Sequence, residues 1–336
     1  MKKIIISFLL LLFCTAQVAA QSDSQISQYI FFPAALNPAA VGKTGMIQAA
    51  AMNRMDFLTM ANGVNTTNIG VNMPFTIGNS SHGAGIRFVY KTSGTLWSYQ
   101  NAYLQYAFVR STPIGNFRIG IDAGFIGAQF EGTRANPVPD PPDVGGGGDN
   151  EFHQPEPDIQ QDISGMRANF NIGAVYMFER GYVGISVLNI TRPTVILESD
   201  NGGFVLNDTI PRALHLMGVY RIRIPDTNMT VKPHTMIRTD FIVYEWSLGA
   251  VVEFDERFWG GLTTRMGTTA GGMTGFNAVG FKAGMNIAGG LSAGIVYDLP
   301  TTRLINTVGS VELMIAYNFE FVRNRHNRRH KSIRIL

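Results

Sequence analysis

Residues 167–178 read RANFNIGAVYMF, and the side chains of residues 167–174 alternate between two classes, with one phase remaining apolar to Phe178. One phase is apolar and the other is polar or small: Ala168, Phe170, Ile172, Ala174, Tyr176 and Phe178 interleave with Arg167, Asn169, Asn171 and Gly173. A period of two is typical of a β-strand whose two faces meet different surroundings. The same alternation recurs at 245–254 and 309–321.

Reading outward from these stretches, we predict fourteen strands of the same kind. They are 46–56, 66–75, 83–91, 98–110, 115–130, 167–178, 182–190, 212–222, 229–239, 245–254, 258–266, 277–286, 290–298 and 309–321. An even number is what single-chain bacterial membrane barrels require. Strands 46–56 and 229–239 carry the weakest patterns, and the second contains Pro233.

The composition favours a transmembrane antiparallel β-barrel over a soluble β-sandwich. Of 336 residues, 45% are hydrophobic, 37 are Gly and only 15% are charged, whereas soluble proteins average about 25% charged residues. After residue 20 the sequence has no run of about 18 apolar residues, so it offers no helical span. Strands within hydrocarbon must then close into a barrel, because every backbone group there needs a partner.

The lengths of the predicted connections support this fold. Short turns alternate with longer connections, and the two longest, 131–166 and 191–211, fall on the same side. Outer-membrane barrels have short periplasmic turns and long extracellular loops, so we expect both termini in the periplasm. Aromatic residues near strand ends are expected to form interfacial girdles: Tyr90, Trp97, Tyr99, Phe178, Tyr182, Trp246, Phe258, Trp259, Tyr297 and Phe321.

The N-terminus predicts export. Residues 1–20 have a basic start, an apolar run too short to span a membrane, and small residues before Gln21, as in a cleaved signal peptide. Cys14 is the only cysteine, and Phe13 before it argues against lipidation. Residues 21–45 would form either a periplasmic leader or a plug in the lumen anchored by Tyr29, Phe31 and Phe32, and the barrel would span 46–322.

Charge is divided between two segments. Residues 323–336 form a basic tail without an acidic residue, through Arg323, Arg325, Arg328, Arg329, Lys331 and Arg334. The tail is either a solvated end or an electrostatic contact to an acidic periplasmic partner or to anionic lipid. The Pro- and Gly-rich connection 131–166 is acidic, and a solvated extracellular loop is favoured over a calcium site because its acids lack EF-hand spacing.

No catalytic motif emerges from the sequence. The six histidines show no metal-ligand spacing with cysteine, and nucleophile elbows and phosphate loops are missing. We therefore expect no enzyme, no metal and no cofactor. Nucleic-acid binding is not expected either, because the basic residues lie in the tail of an exported chain.

Short motifs in a fixed order resemble the PorP/SprF family of type IX secretion system outer-membrane proteins. The opening signature is Ser27, Gln28 and Tyr29, followed by Asn37, Pro38, Ala39 and Gly42. Later matches are 182–186, Arg192-Pro193, Pro211-Arg212, 293–298 and 311–314, whereas the acidic insertion and the basic tail depart from the family pattern.

The resemblance implies an integral outer-membrane protein of Bacteroidota that works in protein secretion or gliding motility. It implies periplasmic partners such as PorK/PorN-like ring proteins and a PorE-like peptidoglycan-binding protein, and for some members a particular secreted substrate protein. The family supplies no catalytic residues. From the residues alone, a porin or small-molecule transporter stays open as an alternative, and a surface adhesin rests on the acidic loop only.

Overall fold

The computed structural model describes residues 25–59, 63–134, 161–198, 205–268, 274–287, 289–301 and 308–320. Fourteen antiparallel strands close into a barrel, because the first strand pairs with both the second and the last. The predicted fold class is therefore confirmed. None of the helices in the described ranges is long and apolar enough to cross a membrane.

The strands follow the predicted positions closely, including the two with the weakest patterns. In chain order they are Ile47–Met55 (β1), Val64–Ile77 (β2), Ser80–Ser93 (β3), Trp97–Thr112 (β4), Gly115–Glu131 (β5), Asp162–Phe178 (β6), Gly181–Leu188 (β7), Thr194–Glu198 (β8), Val205–Thr209 (β9), Ala213–Tyr220 (β10), Ile222–Arg223 (β11), Met229–Thr239 (β12), Tyr244–Phe254 (β13), Phe258–Thr268 (β14), Thr274–Ile287 (β15), Leu291–Pro300 (β16) and Ser310–Phe319 (β17). Three short 3-10 helices cover Pro33–Ala35, Pro38–Ala40 and Gly132–Arg134. β10 and β11 together form one strand of the barrel wall, and β8 and β9 are not part of the wall.

The connections sort onto two rims of different character. Six short connections, at 78–79, 113–114, 179–180, 224–228, 255–257 and between β15 and β16, share what we call the turn rim. The opposite end, the loop rim, carries the connections that begin after β1, β3, β5, β7, β12, β14 and β16. β1 begins and β17 ends at the turn rim, as the predicted parity of the connections requires.

The apolar phase of each strand points outward. Leu104, Phe125 and Ile315 are 69%, 55% and 59% exposed, whereas their polar or small neighbours along the strand face the lumen. An outward band of large apolar side chains is what a lipid-facing barrel wall requires. The period-two pattern therefore identified the correct face.

The girdle prediction was wrong for four aromatic residues. Trp97 and Tyr99 face the lumen side of β4, while Tyr182 and Trp259 are 0% and 4% exposed inside the barrel. Each packs against a polypeptide segment within the lumen, which a strand-end position alone does not reveal.

The connection 191–211 folds inward as a hairpin. β8 and β9 pair with each other, and Val195 and Leu197 are fully buried against Tyr103, Ile126 and Ile163 on the inner wall of β4, β5 and β6. Their alternation is short, and the sequence analysis treated them as loop. The hairpin narrows the lumen at the loop rim.

Three sequence predictions lie outside the described residues: the signal peptide 1–20, most of the acidic connection 131–166, and the tail 323–336. The ends of the acidic connection are nonetheless fixed. Glu131 pairs with Asp162 in register, and Asp162 Oδ1 accepts hydrogen bonds from Thr133 N and Oγ1 at 3.1 and 2.8 Å.

Because β5 and β6 are already in register at Glu131 and Asp162, deleting residues 136–158 should leave barrel insertion intact. We expect the shortened protein to keep the shift in gel migration between unheated and boiled samples that marks a folded barrel. Loss of the shift would mean that the deleted segment is needed for the fold. Deleting 194–209 is the matched comparison and should destabilise the barrel, because it removes the buried side chains of β8 and β9.

Candidate functional site

The lumen is occupied by residues 25–46, which we call the lumen segment. Almost all of its side chains from Ile26 to Gly42 are buried, which favours the plug alternative over the periplasmic leader. Pro33 and Pro38 each start a 3-10 turn, a position that suits a residue without a backbone N–H. Asn37 caps the second turn, its side chain accepting a hydrogen bond from Ala39 N at 2.9 Å.

The backbone carbonyls of this irregular segment receive hydrogen bonds from wall side chains. Arg87 donates to Ala35 O at 2.7 Å, Gln105 to Ala34 O at 3.1 Å, Ser186 to Leu36 O at 2.7 Å, Lys282 to Ser27 O at 2.7 Å, and Arg118 to Ala39 O at 2.7 Å and to Val41 O. A 3-10 turn leaves several carbonyls without internal partners, and a buried carbonyl without a partner is costly. The wall cations thus act as a scaffold for the segment's backbone.

Backbone N–H groups at the start of the segment meet carboxylates. Glu312 accepts hydrogen bonds from Ser27 N at 2.7 Å and Gln28 N at 2.8 Å, and Asp298 accepts one from Ser27 Oγ at 2.9 Å. Arg54 lies between the two acids, 2.6 Å from Asp298 and 3.4 Å from Glu312. Arg265 lies 2.5 Å from the same oxygen of Asp298 that Arg54 contacts. These four residues form what we call the head cluster.

Two glycines let the second turn approach the wall. Gly120 and Gly173 pair across β5 and β6 directly under the turn. A Cβ at Gly120 would lie 2.3 Å from Ala39 N, and one at Gly173 would lie 2.1 Å from Asn37 Oδ1. Any side chain at either position would push the segment off the wall, so this part of the lumen requires glycine.

Aromatic side chains anchor the first half of the segment. Tyr29 is 1% exposed and meets the His234 ring edge-on at 5.7 Å. Phe31 lies on Trp259 with ring centroids 4.3 Å apart. Phe32 is fully buried and fits over Gly70, where a Cβ would come within 2.6 Å of its ring.

Lys43 lies near the end of the lumen segment, close to the turn rim. Its Nζ lies 3.5 Å from the centroid of the Tyr182 ring and has no hydrogen-bond acceptor among the described residues. The nearby charges of Arg118 and Lys232 make this part of the lumen positive.

The seven signature residues all lie in the lumen segment, but they serve two separate contacts. Ser27 and Gln28 meet the head cluster, with Tyr29 packed beside them. The other four form the second turn and its exit on the far wall: Asn37, Pro38, Ala39 and Gly42. Asn37 also donates to the carbonyls of Ala174 and Ile185 at 3.2 and 3.0 Å, and Gly42 N donates to Asn72 Oδ1 at 2.9 Å.

The sequence analysis missed most of the charged wall residues that hold this segment. Among the inward charged residues that it did not single out are Arg54, Asp122, Lys232, Glu245, Arg265, Asp298 and Glu312. The available signal was a charged residue in the small, inward phase of a strand, as with Glu312 between Val311 and Leu313. Periodicity gives the face of such a residue but not its partner.

Two open spaces flank the lumen segment. A cavity of about 300 Å³ lies toward the loop rim, between the segment and the β8–β9 hairpin. A vestibule of about 1620 Å³ opens at the turn rim, next to Glu253, Asn286 and the end of β17 at Glu320. The described residues contain no group of three or more metal-ligating side chains.

Replacing Arg118 by Ala should destabilise the barrel by about 2–4 kcal/mol, because it leaves the buried carbonyls of Ala39 and Val41 without their donor. Arg110→Ala is the matched control: Arg110 lies on the same hairpin but is exposed, so its replacement should change the free energy of unfolding by less than about 0.5 kcal/mol. Urea unfolding in lipid vesicles measures both. Equal effects of the two substitutions would contradict the assigned role.

The barrel resembles solved outer-membrane barrels at very low sequence identity. A Pseudomonas aeruginosa FadL homologue aligns with a TM-score of 0.50 and 11% identity over 85% of this chain and 94% of its own. The Ralstonia pickettii toluene transporter TbuX gives 0.48 and 10% over 85% and 92%, and Acinetobacter baumannii Omp33 gives 0.44 and 8% over 83% and 100%. The likeness concerns the fold alone. No curated protein matches the sequence.

A family match covers most of the sequence. The pattern described as "Type IX secretion system membrane protein PorP/SprF" matches residues 18–317, a range that includes the lumen segment, the wall strands up to Tyr317 and the inward hairpin. All the signature residues noted in the sequence fall within it. The chain therefore belongs to the PorP/SprF family of type IX secretion system membrane proteins.

Proposed function

We propose that this protein is a non-enzymatic outer-membrane component of the type IX secretion and gliding machinery, which anchors periplasmic partners and supports export of secreted proteins. The observation that carries the proposal is the lumen segment, which fills the barrel and whose backbone is held by at least five wall side chains. A barrel whose inward side chains bind an internal segment is suited to the role of a rigid anchor more than to that of an open channel.

The turn rim is the face that we assign to the periplasm, following the usual asymmetry of such barrels. Strand β17 ends at this rim, so the basic tail 323–336 would start beside the vestibule. Gln25 lies near Arg54 and Glu245 toward the loop rim, so the described start of the lumen segment lies away from the side that we assign to the periplasm. We therefore propose a periplasmic location for the C-terminal end alone.

The partners that fit this arrangement are periplasmic proteins with acidic docking surfaces. The family suggests PorK/PorN-like ring proteins and a PorE-like peptidoglycan-binding protein, with a secreted substrate as a further candidate. The six basic residues of the tail would supply long-range attraction, and the vestibule would supply a concave surface for docking.

Deleting 323–336 should reduce co-purification of periplasmic partners after crosslinking in membranes, and more strongly at low salt than at high salt. Exposed charges are screened over about 8 Å at physiological ionic strength, so added salt should remove most of the tail's contribution. A variant with all six basic tail residues changed to Gln should behave like the deletion, whereas a variant in which the five arginines become Lys should retain the partners. If the deletion variant recovered the same amount of partner protein, the proposed role of the tail would be wrong.

The alternative is a porin or small-molecule transporter, and solute flux separates the two functions. In a liposome swelling assay the intact protein should pass little solute, whereas deletion of 25–42 should raise the rate markedly because it empties the lumen. Rapid flux of sugars through the intact barrel would instead favour the transporter. The heat shift in gels checks that the deleted form still folds.

A further inference from the structure

The cavity near the loop rim has the dimensions of a small-molecule site. Its volume of about 300 Å³ lies at the lower end of the range of about 300–1,000 Å³ typical of ligand pockets. Leu36 of the lumen segment lines one side and Ile210, just after β9, lines another. Ser93, the last residue of β3, also lines the cavity, which therefore reaches the rim.

Strand register places two asparagines symmetrically on the cavity wall. Val89 of β3 pairs with Asn68 of β2 on one side and with Asn101 of β4 on the other. Neighbouring strands are about 4.8 Å apart, so the two amides lie about 10 Å apart with Val89 between them. Arg87 and Lys91 lie two residues before and two residues after Val89 on β3. Both therefore face inward, one toward each rim.

Two buried polar atoms of this wall have no hydrogen-bond partner among the described residues. Asn101 Oδ1 and Arg87 Nε are buried and make no hydrogen bond with the described residues. Arg87 itself is only 8% exposed. An acceptor and a donor on adjacent strands call for a ligand that can both donate and accept, as a hydroxyl group does.

The charges around the cavity balance, which argues against an ionic ligand. Arg87 pairs with Asp122 at 3.3 Å and also binds Ala35 O. The remaining charged groups in the lining are Lys91 and Asp208, one of each sign. Since the positive and negative groups are equal in number, a neutral ligand avoids leaving a buried charge without compensation.

Apolar groups line the rest of the cavity. Leu36, Ile126, Leu188 and Ile210 contribute apolar surface, and the Tyr103 ring lies under the Arg87 guanidinium at 4.6 Å. A matching ligand therefore has one apolar face and several hydroxyl groups along its edge. A pyranose ring has both.

From this geometry we propose that the cavity binds a neutral carbohydrate of one or two sugar units, with Asn68, Asn101 and Arg87 contacting its hydroxyl groups. This site is additional to the secretion role and does not depend on it. Purified protein without partners is sufficient for the test, so a negative result would leave the proposed anchoring function untouched.

The experiment is isothermal titration of the full-length barrel in a detergent without a sugar headgroup. The probes are glucose, galactose, mannose and N-acetylglucosamine, each titrated separately, with leucine and octanoate as zwitterionic and anionic comparisons. We expect saturable binding of at least one sugar. Asn68→Ala/Asn101→Ala should weaken it at least about tenfold, as expected for the loss of two hydrogen bonds.

Asn318→Ala is the matched control, because Asn318 is a buried lumen asparagine with an unpaired Oδ1 that lines the turn-rim vestibule instead. It should leave sugar affinity unchanged. Val89→Phe, which fills the cavity, should abolish binding while the gel heat shift shows a folded barrel. The proposal is overturned if no sugar binds saturably, if Asn318→Ala weakens binding as much as the double variant, or if leucine or octanoate binds with the same dependence on the two asparagines.

Discussion

A buried polypeptide segment without regular secondary structure must find a hydrogen-bond partner for each of its backbone groups, and the interior of this protein is arranged around that requirement. Residues 25–46 cross the lumen mostly as turns, and eight backbone hydrogen bonds within the segment satisfy only part of these groups. The wall provides cations where the segment presents carbonyls and carboxylates where it presents N–H groups. Four inward charged residues meet this constraint directly: Arg87, Arg118, Lys282 and Glu312.

The same constraint explains the glycines. In a barrel with an aqueous lumen, small inward residues widen the channel. Here they let the lumen segment come close to the backbone of the wall strands. Gly120 and Gly173 leave space for the turn that carries Asn37 and Ala39, and Gly70 leaves space for Phe32. Part of the high glycine content of the sequence is therefore explained by the places where the lumen segment contacts the wall.

The wall strands were predictable because lipid imposes a pattern on every one of them. Phe170 and Ile172 must face hydrocarbon wherever the strand sits, so their spacing reveals the strand without knowledge of its neighbours. The inner face carries no such common rule. Glu312 could be recognised as inward-facing, but its partner Ser27 lies 285 residues away in sequence, and no local pattern links them. For the same reason Trp259 and Tyr182 were assigned to the membrane interface: strand-end position fits both locations, and only the segment packed against them distinguishes the two. The β8–β9 hairpin is too short to show a clear period.

The position of the lumen segment also limits the order in which the barrel can be built. The segment immediately precedes β1, and β1 makes the closing seam with β17, the last strand of the chain. Its described start at Gln25 lies toward the opposite rim from the one where β1 begins. After the seam has formed, a free end could reach that place only by threading lengthwise past Arg118, Ser186 and Arg87. The segment must therefore already lie inside the curved sheet when the first and last strands pair, and the barrel closes around it.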